Sequence, residues 1–155
     1  MGVDPGSLCT GYGIVDLQGN TVTLVTWGVI RLDDEEPLPD RLIKIHMDLS
    51  SLIKDHAPTE AAVEKVFLAK NASSALKLGQ ARGAAIVTCR MHGLSVHEYS
   101  AKEIKLAATG YGAASKEQVA GMISKLLGVR VQIPADASDA LAMAFCRAVT
   151  REFPK

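Results

Sequence analysis

The chain has 155 residues, 48% of them apolar, with 17 Lys/Arg against 17 Asp/Glu; that is the length and composition of one ordinary globular domain. No apolar run reaches membrane-spanning length and the first residues carry no signal-peptide pattern, so a membrane protein is excluded as an expectation. Three cysteines, Cys9, Cys89 and Cys146, show no CxxC or Cys/His spacing, which argues against a disulfide framework or a zinc site and predicts reduced thiols in a cytoplasmic protein. Zero net charge argues against nucleic acid, but its distribution does not. Residues 77–130 hold eight Lys/Arg against three Asp/Glu, and residues 33–64 hold nine Asp/Glu against three Lys/Arg. Such asymmetry suits a basic face for phosphates beside an acidic face or pocket, and equally suits solvated helix faces.

In chain order, residues 1–4 read as the stub of a first strand. Residues 11–17 and 21–32 are β-rich runs joined by Gln18-Gly19-Asn20, a hairpin signal. The acids at 33–36 make a solvated turn. Leu42, Ile45, Leu49, Leu52 and Ile53 then repeat at helical spacing, in a helix that ends before Pro58. Residues 60–67 form the next strand, 73–91 a helix closed by Gly93, and 94–99 a short strand. Helices follow near 100–108, 115–127 and 136–152. An antiparallel meander followed by right-handed crossovers predicts a single α/β domain over 1–155, with a mixed five-stranded sheet flanked by helices.

Three sets of carboxylates stand out. Glu64 lies inside AAVEKVF, a run that otherwise reads as a buried strand, where an ionised carboxylate is expensive unless paired. Either it points to solvent at a sheet edge or it points into a site that holds a cation. Asp4 precedes Pro5-Gly6, a turn that throws its carboxylate out at a strand end, although a plain β-turn explains the same residues. In PADASDALA, Asp136 and Asp139 share one helix face; a helix cap and a first-turn acid are the ordinary account of them. Each motif alone is weak. If the first and fourth strands are neighbours, the four acids could converge at one sheet edge, where they repel unless cations intervene. Oxygen donors without His or Cys point to Mg²⁺ or Mn²⁺, and a pair of such ions suits phosphodiester hydrolysis.

GVDPGSxxTGYG, VEKVFLAKNxxSALKLGQARG, KEIK…TGYGxASKEQV and PADASDALA together resemble the successive motifs of RuvC-type Holliday junction resolvases, in order and over nearly the whole chain. The resemblance implies a ribonuclease H-like fold and a homodimer. It implies Mg²⁺-dependent paired nicking of four-way DNA junctions in recombination and repair, with two ions per site and Mn²⁺ as a substitute, beside a branch-migration motor. By motif position it assigns the catalytic metal ligands to Asp4, Glu64, Asp136 and Asp139. It assigns junction contacts to Phe67, Lys70, Lys105 and Lys116: an exposed Phe67 ring would stack on unpaired bases, and Lys105 and Lys116 would hold backbone phosphates. On sequence alone, Phe67 is as well read as a core residue and each lysine as surface.

The helix from residue 73 carries Ala75, Leu78, Ala81, Ala84 and Ala85 with Gly79 and Gly83. Small residues allow close helix–helix approach, so this stripe is the expected dimer interface, and close packing within one subunit is the competing reading. Family members carry apolar residues ahead of GVDPG, where this chain has Met1, and His where Arg147 stands. Arg147 should lie about 12 Å along the helix axis from Asp139, serving DNA or only the surface. The short first strand, with Gly2 giving nothing to the core, should be weak, and the terminal amine should crowd Asp4. The natural product is therefore expected either to begin upstream or to be less stable than its relatives. Two other functions fit parts of the pattern. An ATP-binding domain of the actin and sugar-kinase type shares the strand–Asp–Gly turn but needs two such domains, and a junction-binding protein that does not cut would use the acids only structurally.

Overall fold

The computed structural model describes residues 1–65 and 72–151; Phe67 and Lys70 lie outside the described residues. The elements are β1 (Gly2–Asp4), β2 (Cys9–Gln18), β3 (Thr21–Arg31), α1 (Leu38–His56), β4 (Glu60–Glu64), α2 (Ala72–Met91), β5 (Ser95–Tyr99), α3 (Ala101–Thr109), α4 (Lys116–Leu126) and α5 (Ala135–Thr150). They form the expected mixed five-stranded sheet, in the order β3-β2-β1-β4-β5. The β1–β2 and β2–β3 pairs are antiparallel, and β1–β4 and β4–β5 are parallel. The strand expected over 60–67 stops at Glu64. Among the described residues no helix is long and apolar enough to cross a membrane.

Strand alternation sorts the side chains into two layers. Val3, Ala61 and Val63 join the core beneath α1 and α2, with Ile45, Leu49, Ala81 and Ala85. Ala62 joins the opposite core, with Ile104, Val119, Ile123, Leu141 and Met143 from α3, α4 and α5. Val3, Val63, Ile45 and Leu49 are wholly buried, and each such aliphatic side chain contributes about 1.5–3 kcal/mol. By the same period of two, Asp4 and Glu64 face the α3–α4–α5 side.

α5 is the helix that the sheet admits most closely. Gly2 pairs with Gly13, and Asp4 with Gly11, across β1 and β2. A Cβ on Gly2 would stand 2.0 Å from the Ala140 carbonyl oxygen, one on Gly11 would stand 2.0 Å from that of Asp136, and one on Gly13 would stand 2.6 Å from Leu141 Cδ2. Helix backbone thus lies almost directly on strand backbone, and Ala137, Ala140 and Ala144 of α5 are buried there. Gly2 is therefore not a weak point in β1, as the sequence suggested; a side chain at that position has no room. The terminal amine also lies elsewhere than expected. It donates to Glu60 O at 3.0 Å, at the end of β1 away from Asp4, and burial pushes its pKa down to about 6.

Two capping boxes start the neighbouring helices. Ser100 with Glu103 caps α3, and Ser115 with Gln118 caps α4, each satisfying two orphan N–H groups reciprocally. They fix where Lys105 and Lys116 leave their helices.

Gly11→Ala should cost roughly 1–3 kcal/mol, the usual penalty of overpacking, and should lower the urea midpoint accordingly. Gly121→Ala, on an exposed turn of α4 where a Cβ meets nothing within 4 Å, should instead gain up to about 1 kcal/mol from helix propensity. Equal effects of the two changes would show that α5 does not rest on the glycines.

Candidate active site

Val3 of β1 and Val63 of β4 are in register. Asp4 and Glu64 follow them by one residue each, so the two carboxylates leave the same end of the sheet on the same face. β4 lies between β1 and β5, which disposes of the reading of Glu64 as a solvated edge residue. The first turns of α5, lowered onto Gly11, bring Asp136 and Asp139 to the same place. Pro134 is the N-cap of this helix and makes no side-chain cap bond, so Asp136 is not spent on capping.

The four acids feel one another. Burial, and then the charges of Asp139, Asp136 and Glu64, push the Asp4 carboxyl up to about 7, with Lys116 opposing. Glu64 is raised by burial and by Asp139, against the pull of Lys116 and Lys105. Lys116, expected on DNA phosphate, here sets its Nζ 2.7 Å from Asp139 Oδ2, and that contact holds its ammonium more firmly protonated. Glu64, Lys105, Lys116 and Asp139 line one cleft together with Ile104 and Met143.

Three side chains to which the sequence analysis assigned no part in the site support it. Cys9 Sγ–H donates to Asp136 Oδ2 at 2.9 Å; burial, and then that bond, push the thiol up to about 11. The Thr10 hydroxyl, buried under the Pro5-Gly6 turn, accepts from Gly6 N–H at 3.3 Å and donates to Gly6 O at 3.2 Å. Arg41, also buried, donates to Ser7 O at 3.1 Å while paired with Asp34 at 3.0 Å. The turn that carries Asp4 is thus pinned from within. A buried arginine in an amphipathic helix has no sequence signature of its own; the Thr in Ser7-x-x-Thr10 was the only available hint.

Arg147 takes no part. It forms a two-point pair with Glu60, at 2.9 and 3.0 Å, beside a separate cavity at the opposite end of β1 and β4 that Met1 and Arg151 also line.

Clustered oxygen donors, with the Asp4 and Glu64 carboxyl pKa values raised, fit a hard divalent cation in charge and in donor chemistry. Among the described residues no three His, Cys, Asp or Glu side chains are yet gathered closely enough to hold a metal ion, and Lys116 supplies the positive charge among them.

A mixed five-stranded sheet with strand-end and helix-start carboxylates on one face is the ribonuclease H-like architecture of junction resolvases. Residues 1–147 match the model of the family described as "Crossover junction endodeoxyribonuclease RuvC". The RuvC protein of Acinetobacter baumannii is 51% identical over 148 residues, covering 96% of this chain and 81% of that one. That of Methylococcus capsulatus is 52% identical over 146 residues, covering 94% and 87%. The solved Thermus thermophilus RuvC in complex with Holliday junction substrate superposes with a TM-score of 0.89 at 33% identity, covering 95% of this chain and 90% of that one. The chain belongs to the RuvC family of crossover junction endodeoxyribonucleases.

Asp4 keeps its proton to about pH 7 in the fold, against 3.8 ordinarily. Between those values the folded chain binds more protons than the unfolded one, so stability falls as pH rises through that window. With chelator present, the Tm of the parent should decline from about pH 4 to pH 7 relative to Asp4→Asn, and divalent cation should restore it above pH 7. A Tm difference independent of pH would remove Asp4 from a crowded acid cluster.

Proposed function

We infer that this protein is an endodeoxyribonuclease that resolves four-way (Holliday) DNA junctions in recombination and repair. The observation that carries the reading is the meeting of Asp4, Glu64, Asp136 and Asp139 at one end of the sheet, beside Lys105 and Lys116, in a chain of the RuvC family.

Asp4, Glu64, Asp136 and Asp139 would hold two Mg²⁺ ions, with Mn²⁺ as a substitute. Such a pair supplies activation of a water molecule and charge stabilisation at the leaving oxygen of an in-line displacement. Asp4 must lose its proton before it can serve as a ligand, and Asp139 must exchange the Lys116 ammonium for other positive charge. Lys116, once released, stands at the rim with Lys105, where both can hold phosphates and set the register of the DNA. Phe67 and Lys70 follow β4 in the chain; the proposed roles are stacking on bases opened at the crossover and a further backbone contact.

A symmetric substrate calls for a homodimer, and α2 offers a surface for it. Ala81 and Ala85 of the small-residue stripe are buried within the subunit, so that part of the stripe serves internal packing. Leu76, Val87 and Met91 remain 69%, 55% and 72% exposed. They line up along the helix with Gly79 and Gly83, where nothing lies within 4 Å. Ile43 and Met47 of α1 add further exposed apolar surface. A branch-migration motor is the proposed working partner of the dimer.

On a synthetic mobile junction with Mg²⁺, Asp4→Asn, Glu64→Gln and Asp136→Asn should each reduce cleavage by several orders of magnitude and leave junction binding intact. Each change keeps the side chain's shape and removes one charge. A variant that cuts at the parent rate would take its residue out of the site, and a parent that binds junctions without nicking them would favour the non-cutting reading.

Val87→Glu should convert the dimer to monomer by light scattering and replace paired nicks with single ones. An unchanged mass would move the interface off α2.

A further inference from the structure

β1 and β4 run parallel with Gly2 opposite Ala62 and Val3 opposite Val63, and the Ala62 N–H donates to Met1 O at 2.8 Å. Donors on the β1 side of such a ladder come from every second residue. After Val3 the next is residue 5, whose N–H would reach Glu64 O. Residue 5 is proline and has no N–H to give. The ladder therefore ends one bond early, and the carbonyl of Glu64 loses its strand partner at the place where its side chain enters the acid cluster.

Arg82 of α2 fills the vacancy. Its Nε–H donates to Glu64 O at 3.1 Å, while its Nη2 makes a close ion pair with Glu98 of β5. The side chain is 19% exposed, so the fork is held against the sheet with both ends engaged. On the other side of the strand, Lys65 N–H donates to Tyr99 O at 2.8 Å. The end of β4 is thus fastened to β5 by a backbone bond and, where β1 has failed it, to α2 by a guanidinium.

We propose that Arg82 is the positioning residue of Glu64: it replaces the N–H that Pro5 lacks and so fixes the peptide from which the carboxylate projects. The proposal rests on the reading of Glu64 as part of the nuclease site. Arg82 reaches no substrate in this role; it acts through the Glu64 carbonyl. A misplacement of a reacting group by about 1 Å can cost on the order of a hundredfold in rate, and one hydrogen bond at a strand end controls displacements of that size.

The test compares Arg82→Lys, the double change Arg82→Lys/Pro5→Ala, and Glu98→Gln. Lysine keeps a cation beside Glu98 but has no planar fork to serve both acceptors; alanine at position 5 returns the missing backbone donor. In protein free of divalent ions, amide exchange at Lys65 should rise in Arg82→Lys and return towards the parent value in the double variant. At saturating junction and Mg²⁺, cleavage by Arg82→Lys should slow by on the order of tenfold, with junction binding unchanged, and Pro5→Ala should restore much of the rate. Glu98→Gln, which keeps an acceptor for Nη2, should behave as the parent. Parent-like exchange and cutting in Arg82→Lys, no recovery on adding Pro5→Ala, or a Glu98→Gln variant as slow as Arg82→Lys would each overturn the proposal. The exchange measurement reports the anchor without reference to catalysis, so its outcome stays distinct from that of Glu64→Gln, which tests the nuclease reading itself.

Discussion

The site exists because α5 lies on bare backbone. Glycine at 2, 11 and 13 removes the side chains that would hold a helix at ordinary distance from a sheet, and the nearest helix atoms occupy the space those side chains would need. Glycine inside strands ordinarily weakens them; here the loss is offset by a helix buried along most of its length, from Ala137 to Cys146. Two consequences follow from the one contact. Asp136 and Asp139 descend to the level of Asp4 and Glu64, and α3 and α4, packed on the outer side of α5, carry Lys105 and Lys116 to the rim of the same cleft. Raising α5 by the thickness of a methyl group would separate two of the four acids from the others.

Bringing four carboxylates together is unfavourable, and the surroundings divide the cost. Asp4 can remain neutral near pH 7, Lys116 neutralises Asp139, and Asp136 accepts a hydrogen bond from Cys9. None of these arrangements uses up the acids as ligands, because each is reversible: a proton can leave, an ammonium can swing away, and a thiol donor occupies one carboxylate oxygen only. The result is a set of negative charges compensated by contacts that can be released, as the proposed cation binding requires.

Much of this was legible in the sequence. Apolar periods of two and 3.6 gave the elements in their observed order, and the question of a glutamate in a buried run led to the cluster. The differences at β1 and β4 concern what backbone, not side chains, requires. Gly2 read as a missing core contact because a sequence does not show the helix carbonyl 2.0 Å from where its Cβ would be. The apolar run past Glu64 suggested a strand to residue 67, whereas the absence of a donor at Pro5 ends the β1 side of the ladder sooner. Arg147, one more cation on a helix that carries two of the acids, shows its role only once Glu60 is seen opposite it. The terminal amine was placed by chain proximity to Asp4, but a strand, however short, has two ends.

Those two ends are built differently. Where β1 and β4 begin, the ladder is complete, the terminal amine bonds Glu60 O, and Arg147 clamps the Glu60 side chain from α5. Where they finish, Pro5 halts the pairing and the chain turns away under Thr10 and Arg41. The end that bears Asp4 and Glu64 is thus the end at which the β1–β4 pairing stops. The interruption leaves Glu64 dependent on a side chain from α2, the helix whose exposed stripe of Leu76, Val87 and Met91 faces outward. Because one helix carries both the Arg82 anchor and that stripe, a shift of α2 is transmitted to the Glu64 peptide through a single hydrogen bond. The surface proposed to join two subunits and the carboxylate proposed to serve catalysis are therefore mechanically continuous.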